Sequence, residues 1–234
     1  MCGIAGFAGS GARADLARMT RALAHRGPDA EGLWQDEARG VYLGHRRLSI
    51  IDLGGGGQPM WSADGKIGIV FNGEIYNHAE LRRELQQAGR QFLTGHSDTE
   101  VLIHGYREWG DDFVNRLNGM WAFVIYDAER RRLFASRDRF GKKPFYYFQS
   151  GETFAFGSEL TAMTAHPAAP SGLDRLAIAK YFAYGLIPAP LTMVRGIRKL
   201  PAGHNLEFSL ASRELRVSKY WEYRIEPGEA WGSP

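Results

Sequence analysis

Residues Gly119 to Tyr126 are apolar in both phases of a two-residue period, with Met120, Ala122 and Val124 in one and Trp121, Phe123 and Ile125 in the other. Successive side chains of a strand point to opposite faces, so a strand of this composition needs cover on both sides. It belongs inside a layered structure. The runs Leu133–Ser136, Pro144–Phe148 and Thr153–Phe156 read as further strands joined by short, turn-rich connections. Connections this short favour antiparallel hairpins over helical crossovers. The expected class is α+β, with antiparallel sheets packed face to face and helices outside.

The rest of the chain fits that frame. Gly3 to Ala8 reads as a strand starting almost at the first residue, and Leu16, Met19 and Leu23 give Asp15 to His25 an apolar stripe at helical spacing. Arg26-Gly27-Pro28-Asp29 breaks that helix. Strand-like runs follow at Gly32–Gln35, Val41–Leu48 and Ile67–Phe71, with the glycine run 54–57 between the last two. Asn77 and Ser97 each precede a Glu by three positions, a capping-box pattern, so helices are expected with Leu81 and Leu85, then Val101, Leu102, Tyr106 and Trp109, as their buried residues. His166-Pro167-Ala168-Ala169-Pro170 is read as a linker, followed by a helix near Asp174–Tyr184 and short strands punctuated by Pro188, Pro190 and Pro201.

Composition excludes several function classes. Of the 234 residues 44% are hydrophobic and 24% charged, an ordinary balance for a chain that buries a core. No apolar stretch approaches the roughly 18–20 residues of a membrane helix, and the N-terminus lacks a secretory pattern, so no membrane partner and a cytoplasmic location are expected. The net charge is only +3, and the densest basic run, Arg130-Arg131-Arg132, lies between two strands where a solvated hairpin turn is expected. No basic face interleaved with aromatics points to nucleic acid. With one Cys there is no intrachain disulfide, and the seven His residues show neither HxxxH nor HExxH spacing, so no metal is expected.

That single thiol, Cys2, is followed by the small Gly3, a context suited to removal of the initiator methionine. The product would carry a thiol and an α-amine on one residue. Ordinary thiols and α-amines titrate within about one unit of each other, so the amine can take the thiol proton near neutral pH and one residue supplies both nucleophile and base. From Met-Cys-Gly alone an incidental cysteine is the favoured reading, because so short a match carries little information.

The surrounding motifs change that balance. Met1-Cys2-Gly3-Ile4-Ala5-Gly6 stands with His25-Arg26-Gly27-Pro28-Asp29, His45-Arg46-Arg47-Leu48-Ser49-Ile50-Ile51-Asp52, Phe71-Asn72-Gly73-Glu74-Ile75-Tyr76-Asn77 and Gly95-His96-Ser97-Asp98-Thr99-Glu100. Ser136 to Pro144, Phe156-Gly157-Ser158-Glu159 and Arg195 to His204 complete the set. In this order, over nearly the whole chain, they resemble the class II glutamine amidotransferases, most closely the glutaminase half of glutamine-dependent asparagine synthetases. The resemblance implies the N-terminal-nucleophile fold, two antiparallel sheets sandwiched between helical layers. It also implies that Cys2 attacks the side-chain amide of glutamine, forming a glutamyl thioester and releasing ammonia, and that water then hydrolyses the thioester.

The resemblance assigns further roles. Asn72 and Gly73 match an oxyanion hole, although the dipeptide alone is equally a type I′ turn. Arg47 matches the residue holding the glutamine α-carboxylate. Arg46 is its competitor, and since strand neighbours face opposite ways only one of them enters the pocket; the alignment selects Arg47 and leaves Arg46 facing solvent. Leu48, Ile50 and Ile51 belong to the same substrate-binding segment. Asp98, with Glu74 beside it, matches the acceptor of the α-ammonium, while an acid at a helix start also suits the macrodipole, and both can hold. The glycine run 54–57 lacks the following Lys-Ser or Lys-Thr of a phosphate loop and is expected to border the pocket, with lid behaviour as one option.

Residues 1–210 are thus expected to form the glutaminase domain and 211–234 a linker toward an ATP-dependent synthetase domain whose Ser-Gly-Gly-x-Asp-Ser loop does not occur in this chain. The glutaminase domain is expected to need no cofactor; ATP and Mg belong to the synthetase domain. The expected partners are glutamine, a synthetase domain or subunit receiving ammonia, and a second copy in a homodimer. Two alternatives stay open: a paralogue feeding ammonia to another acceptor, and a non-catalytic module of the same fold. Loss of the nucleophile would mark the latter, and Cys2 is present.

Overall fold

The structure is a computed structural model that describes residues 1–48 and 56–225. In chain order it runs β1 (Gly3–Ala8), α1 (Arg13–Arg21), β2 (Ala30–Asp36), β3 (Val41–Arg47), β4 (Met60–Trp61), β5 (Ile67–Ile75), α2 (His78–Gln87) and α3 (Asp98–Trp109). A 3-10 helix (Gly110–Arg116) leads to β6 (Gly119–Asp127), β7 (Arg132–Arg137), β8 (Tyr146–Ser150), β9 (Thr153–Gly157), α4 (Leu160–Thr164) and α5 (Arg175–Tyr184). The last strands are β10 (Arg198–Lys199), β11 (His204–Ser209) and β12 (Leu215–Lys219).

Two six-stranded sheets result, ordered β10-β8-β9-β1-β3-β2 and β12-β11-β7-β6-β5-β4. Every strand pairing among the described residues is antiparallel. The doubly apolar strand is β6, inside the second sheet. Its Ala122 and Val124 join Ile4, Leu43, Phe156 and Phe208 in the core between the sheets. Trp121, Phe123 and Ile125 face the other way, against Leu85, Leu102 and Tyr106 of α2 and α3. On the far side of the first sheet Phe7 and Ala155 pack with Leu16 and Met19 of α1 and Met163 of α4. Helices therefore cover both outer faces, giving the four-layered α+β sandwich that the alternation of β6 requires.

Several local expectations are corrected. The segment read as a linker at 166–170 is part of the core: His166 is 2% exposed and its ring meets those of Phe7 and Phe148. The segment read as linker from residue 211 carries β12, whose backbone pairs with β11 from Leu215 to Lys219. Arg132 is not solvated like its neighbour Arg130; it opens β7, is buried, and pairs with Asp111 and Glu207. Asn77 does not cap α2 through its side chain. It bridges Arg116 O (2.9 Å) and Asn118 N (2.9 Å) instead. Ser97 does cap α3, accepting from Glu100 N at 3.4 Å.

Candidate active site

Cys2 sits at the mouth of the sandwich because β1 begins one residue later and is clamped there. Ile4 N donates to Ser158 Oγ and Ser158 N to Ile4 O, both at 2.9 Å. Arg26 Nε donates to the Cys2 carbonyl at 3.0 Å, while its Nη1 reaches the Glu159 carboxylate at 2.8 Å. Two motifs distant in sequence, those of Arg26 and of Ser158-Glu159, thus hold the start of β1 and the Cys2 carbonyl. Its half-buried thiol donates to the Leu48 carbonyl at 3.8 Å.

The thiol lines a pocket with Met1, Arg47, Leu48, Asn72, Gly73, Glu74 and Asp98, of about 810 Å³ including its open mouth. Asn72, Gly73 and Glu74 come from β5, which does not stop at Phe71. Asn72 pairs with Ala122 and Gly73 with Trp121, so the dipeptide is strand and not a type I′ turn. A Cβ on Gly73 would lie 2.3 Å from the Met120 carbonyl and 2.4 Å from the Phe71 ring, so only glycine fits. Asn72 is 1% exposed and its Nδ2 has no hydrogen-bond partner among the described residues. A buried, unpaired amide donor costs roughly 1–3 kcal/mol, a penalty that an anionic oxygen in the pocket would remove.

Two further pocket-lining residues, His45 and Gln58, brace these strands. His45, on β3, is 1% exposed and hydrogen-bonds the Phe71 carbonyl through Nε2 at 3.1 Å. Burial pushes its pKa down to about 4, against the pull of that carbonyl and with the nearby Arg47 charge. The ring is therefore neutral near pH 7, with its Nε2–H donating. Gln58 accepts from Phe71 N at 2.6 Å and approaches Gly32 so closely that a Cβ there would lie 1.7 Å from the Gln58 carbonyl oxygen.

The opposite wall is the entry to α3. Asp98 opens the helix, and its carboxylate accepts from Ile75 N at 3.1 Å. Burial raises its pKa, partly offset by that hydrogen bond. Asp98 stands at a helix start and also lines the pocket. The loop before it is held by Glu100, which accepts from Leu93 N (2.6 Å), Thr94 N (2.8 Å) and Thr94 Oγ1 (2.5 Å). Arg82 adds bonds to the Thr94 carbonyl (2.6 Å) and the Ser97 carbonyl (3.1 Å).

The structure thus gathers Cys2, Arg47, Leu48, Asn72, Gly73, Glu74 and Asp98 around one pocket. Ile50 and Ile51, and residues 54 and 55 of the glycine run, lie outside the described residues; Gly56 lines the pocket. Arg46 points away from the pocket as strand alternation requires, but not into solvent. Its Nε donates to the Thr20 carbonyl at 3.2 Å and its Nη2 pairs with Glu31 at 2.9 Å. Sequence reasoning gave no role to His45, His96, Thr99, Met120 or Lys143, which also line the pocket. For Lys143 a signal existed, a lysine directly before Pro144 and an apolar strand. Among the described residues no group of three or more His, Cys, Asp or Glu is placed to hold a metal ion. No described helix is long and apolar enough to cross a membrane.

Comparison with known proteins agrees with this geometry. Residues 1–221 match the family described as glutamine amidotransferase domain. Asparagine synthetase [glutamine-hydrolyzing] 3 of Bacillus subtilis is 40% identical over 97% of this chain and 37% of its own length. Putative asparagine synthetase [glutamine-hydrolyzing] 2 of Methanocaldococcus jannaschii is 39% identical over 95% of this chain and 47% of its own. The chain therefore spans less than half of these relatives. Among solved structures, glutamine phosphoribosylpyrophosphate amidotransferase from B. subtilis shares the fold, with a TM-score of 0.66 at 18% identity over 94% of this chain and 49% of that one. An allosteric regulatory enzyme of purine biosynthesis does so too, with a TM-score of 0.70 at 20% identity and the same coverage. By its sequence, its two-sheet sandwich and the residues gathered at its mouth, this chain belongs to the glutamine amidotransferase domain family.

Proposed function

We propose that this chain hydrolyses glutamine to glutamate and ammonia through a glutamyl thioester on Cys2. The observation that carries the reading is the pairing, in one pocket, of the Cys2 thiol with the buried and unpaired amide of Asn72. Attack of sulfur on the glutamine amide carbon turns its oxygen into an anion, and the Asn72 Nδ2–H with the Gly73 N–H supplies the donors for it. The charges around them suit an amino-acid zwitterion. Arg47 would receive the α-carboxylate in a two-pronged contact, and Asp98 with Glu74 the α-ammonium.

The base is the α-amine of Cys2, so Met1 has to be removed first. While Met1 is attached, that nitrogen is a peptide amide and cannot accept a proton, and Met1 itself lines the pocket. Once free, the amine takes the thiol proton, passes it to the leaving nitrogen, and then draws a proton from the water that opens the thioester. No cofactor enters these steps. The ammonia goes to a synthetase domain like that implied by the greater length and the names of the relatives, which would consume ATP and Mg to make asparagine from aspartate. Residues 1–210 carry the glutaminase chemistry in this reading, and the residues after β12 lead toward that domain.

The test is a glutaminase assay on protein whose N-terminal mass lacks Met1. Turnover without ATP and covalent labelling of Cys2 by an electrophilic glutamine analogue are expected, with Cys2→Ala reducing turnover by at least about 10⁴-fold. Robust hydrolysis by Cys2→Ala would end the assignment.

A further inference from the structure

We propose that Lys143 is the counter-ion for the negative charge that glutamine hydrolysis creates at the Cys2 end of the pocket, and that it makes the site hold glutamate more tightly than Lys143-free variants do while leaving glutamine binding unaffected. The inference rests on the hydrolytic reading above.

Lys143 is 7% exposed and lines the pocket with Cys2, Asn72, Gly73 and Glu74. Among the described residues its ammonium has no hydrogen-bonded or ion-paired partner. Its ammonium lies at the pocket, where a lysine with no fixed partner can meet an incoming anion. The backbone that carries it is pinned from both sides. The buried Asp138 carboxylate accepts from Lys143 N (3.0 Å), Trp121 N (3.2 Å), Phe140 N (3.1 Å) and Lys142 N (2.9 Å). Arg137 Nε donates to the Lys143 carbonyl at 2.7 Å, and its Nη1 and Nη2 reach the Leu200 and Gly141 carbonyls. Burial and the Arg26 charge push the lysine toward its neutral form, while Cys2, Asp138 and Glu74 pull it back. No carboxylate of the described residues is within ion-pair distance of that ammonium, which leaves it able to pair with an anion formed beside Cys2.

The reaction provides that anion. The zwitterionic end of glutamine is matched by Arg47 on one side and Asp98 with Glu74 on the other, while its side-chain amide is neutral. As the S–C bond forms, the carbonyl electron pair moves to oxygen. Collapse re-forms the C=O and breaks the C–N bond, the nitrogen taking the proton that left the thiol. Water then adds to the thioester, sulfur leaves and regains a proton, and the product carries a γ-carboxylate where the substrate carried an amide. Both the tetrahedral oxyanion and this carboxylate are negative at a position where the ground state is not. An ammonium that pairs with them and not with the amide favours transition state and product over bound glutamine.

The experiment compares protein lacking Met1 with its Lys143→Met and Lys143→Arg variants, measuring kcat and KM for glutamine and the inhibition constant of glutamate. Lys143→Met is expected to lower kcat about 10–100-fold and weaken glutamate inhibition about tenfold, with KM for glutamine within about twofold. Lys143→Arg is expected to restore glutamate inhibition to within about threefold. Equal weakening of glutamine and glutamate, or no change in either, would overturn the assignment, since loss of packing alone would not separate the two ligands. Should Lys143→Met fail to fold, the Cys2→Ala protein, with Lys143 intact, gives a second readout. Saturating glutamate should shift the side-chain ¹⁵N resonance of Lys143 and glutamine should not; identical shifts refute the pairing. Failure of the hydrolytic reading would instead appear as a parent protein without turnover, whatever stands at position 143.

Discussion

Helices α3 and α5 are both about three turns long, yet they relate to the molecule in opposite ways. α3 buries Thr99, Glu100, Val101, Leu102, Ile103, Gly105 and Tyr106 against the outer face of the second sheet, and its first residue lines the pocket. α5, by sequence the more apolar helix, buries Ala177 alone and leaves Leu176, Tyr181, Phe182 and Tyr184 exposed. What holds α5 as a helix is local: Asp174 caps Ala177 N at 2.9 Å, and Gly185 ends the helix in the left-handed region at φ 70°. Apolar composition alone does not place a helix in a core; a stripe that matches an available sheet face does. The sharpest way to break this contrast is a pair of truncations. Leu102→Ala in α3, at a site with no exposure, should cost about 3–4 kcal/mol in urea unfolding. Phe182→Ala, at 82% exposure, should cost under about 0.5 kcal/mol. A cost above about 1 kcal/mol at Phe182 would mean that α5 is covered in solution.

The contrast extends to pH. The pocket end holds a buried histidine, whereas no titratable group is buried on α5. His45 titrates near 4 in the folded chain against an ordinary value of 6.5. Its folded value is the lower one, so below pH 6.5 the unfolded chain binds the proton more readily and stability falls until about pH 4. The loss from His45 over that window is up to about 3 kcal/mol. His104 and His166, also pushed down by burial, act in the same sense. His45→Gln should flatten the slope between pH 6.5 and 4 measured by chemical unfolding. An unchanged slope would remove His45 as its source.

Much of this was legible because it is local. The short apolar run of β1 and the doubly apolar run of β6 announce themselves, as do the helical stripes of α1 and α3. What stayed hidden depends on distant partners. The Asn72-Gly73 dipeptide has turn chemistry, but pairing of β5 with β6 through Ile75 overrides it. His166 lies in a Pro- and Ala-rich stretch, yet the rings of Phe7 and Phe148 hold it in the core. β12 is mostly polar and exposed and becomes a strand only because β11 offers an edge. Of the pocket, the residues implied by the family resemblance came together where described, but no motif says that Lys143 is buried without a partner, because that follows from the clamp formed by Asp138 and Arg137.

A smaller effect probes the loop carrying Asp98. The Glu100 carboxylate is nearly inaccessible, and although burial opposes its charge, hydrogen bonds from Leu93 and Thr94 outweigh that and keep its carboxyl below the usual range. Glu100→Ala strands three donors and should cost about 2–3 kcal/mol in urea unfolding. It should also raise KM for glutamine about tenfold while leaving the alkylation rate of Cys2 unchanged, because the Cys2 clamp of Arg26, Ser158 and Glu159 lies on the other side of the pocket. Equal losses at both ends would show that the two walls are one cooperative unit.

The smallest effect carries the opposite sign. Asp98 has its pKa raised by burial, so its folded value lies above its unfolded one. The folded chain then binds the proton more tightly, and the ionised carboxylate detracts from stability at every pH above the folded value. Asp98→Asn keeps the shape and an oxygen to accept from Ile75 N but removes the charge. It should therefore gain about 0.5–1 kcal/mol in unfolding experiments at pH 7. The gain should vanish at pH values low enough to protonate Asp98 in the parent. Glutamine affinity should move the other way and fall sharply, since the α-ammonium loses a charged acceptor. A destabilised Asp98→Asn would mean that the hydrogen bonds the carboxylate accepts inside the fold outweigh the cost of burying its charge.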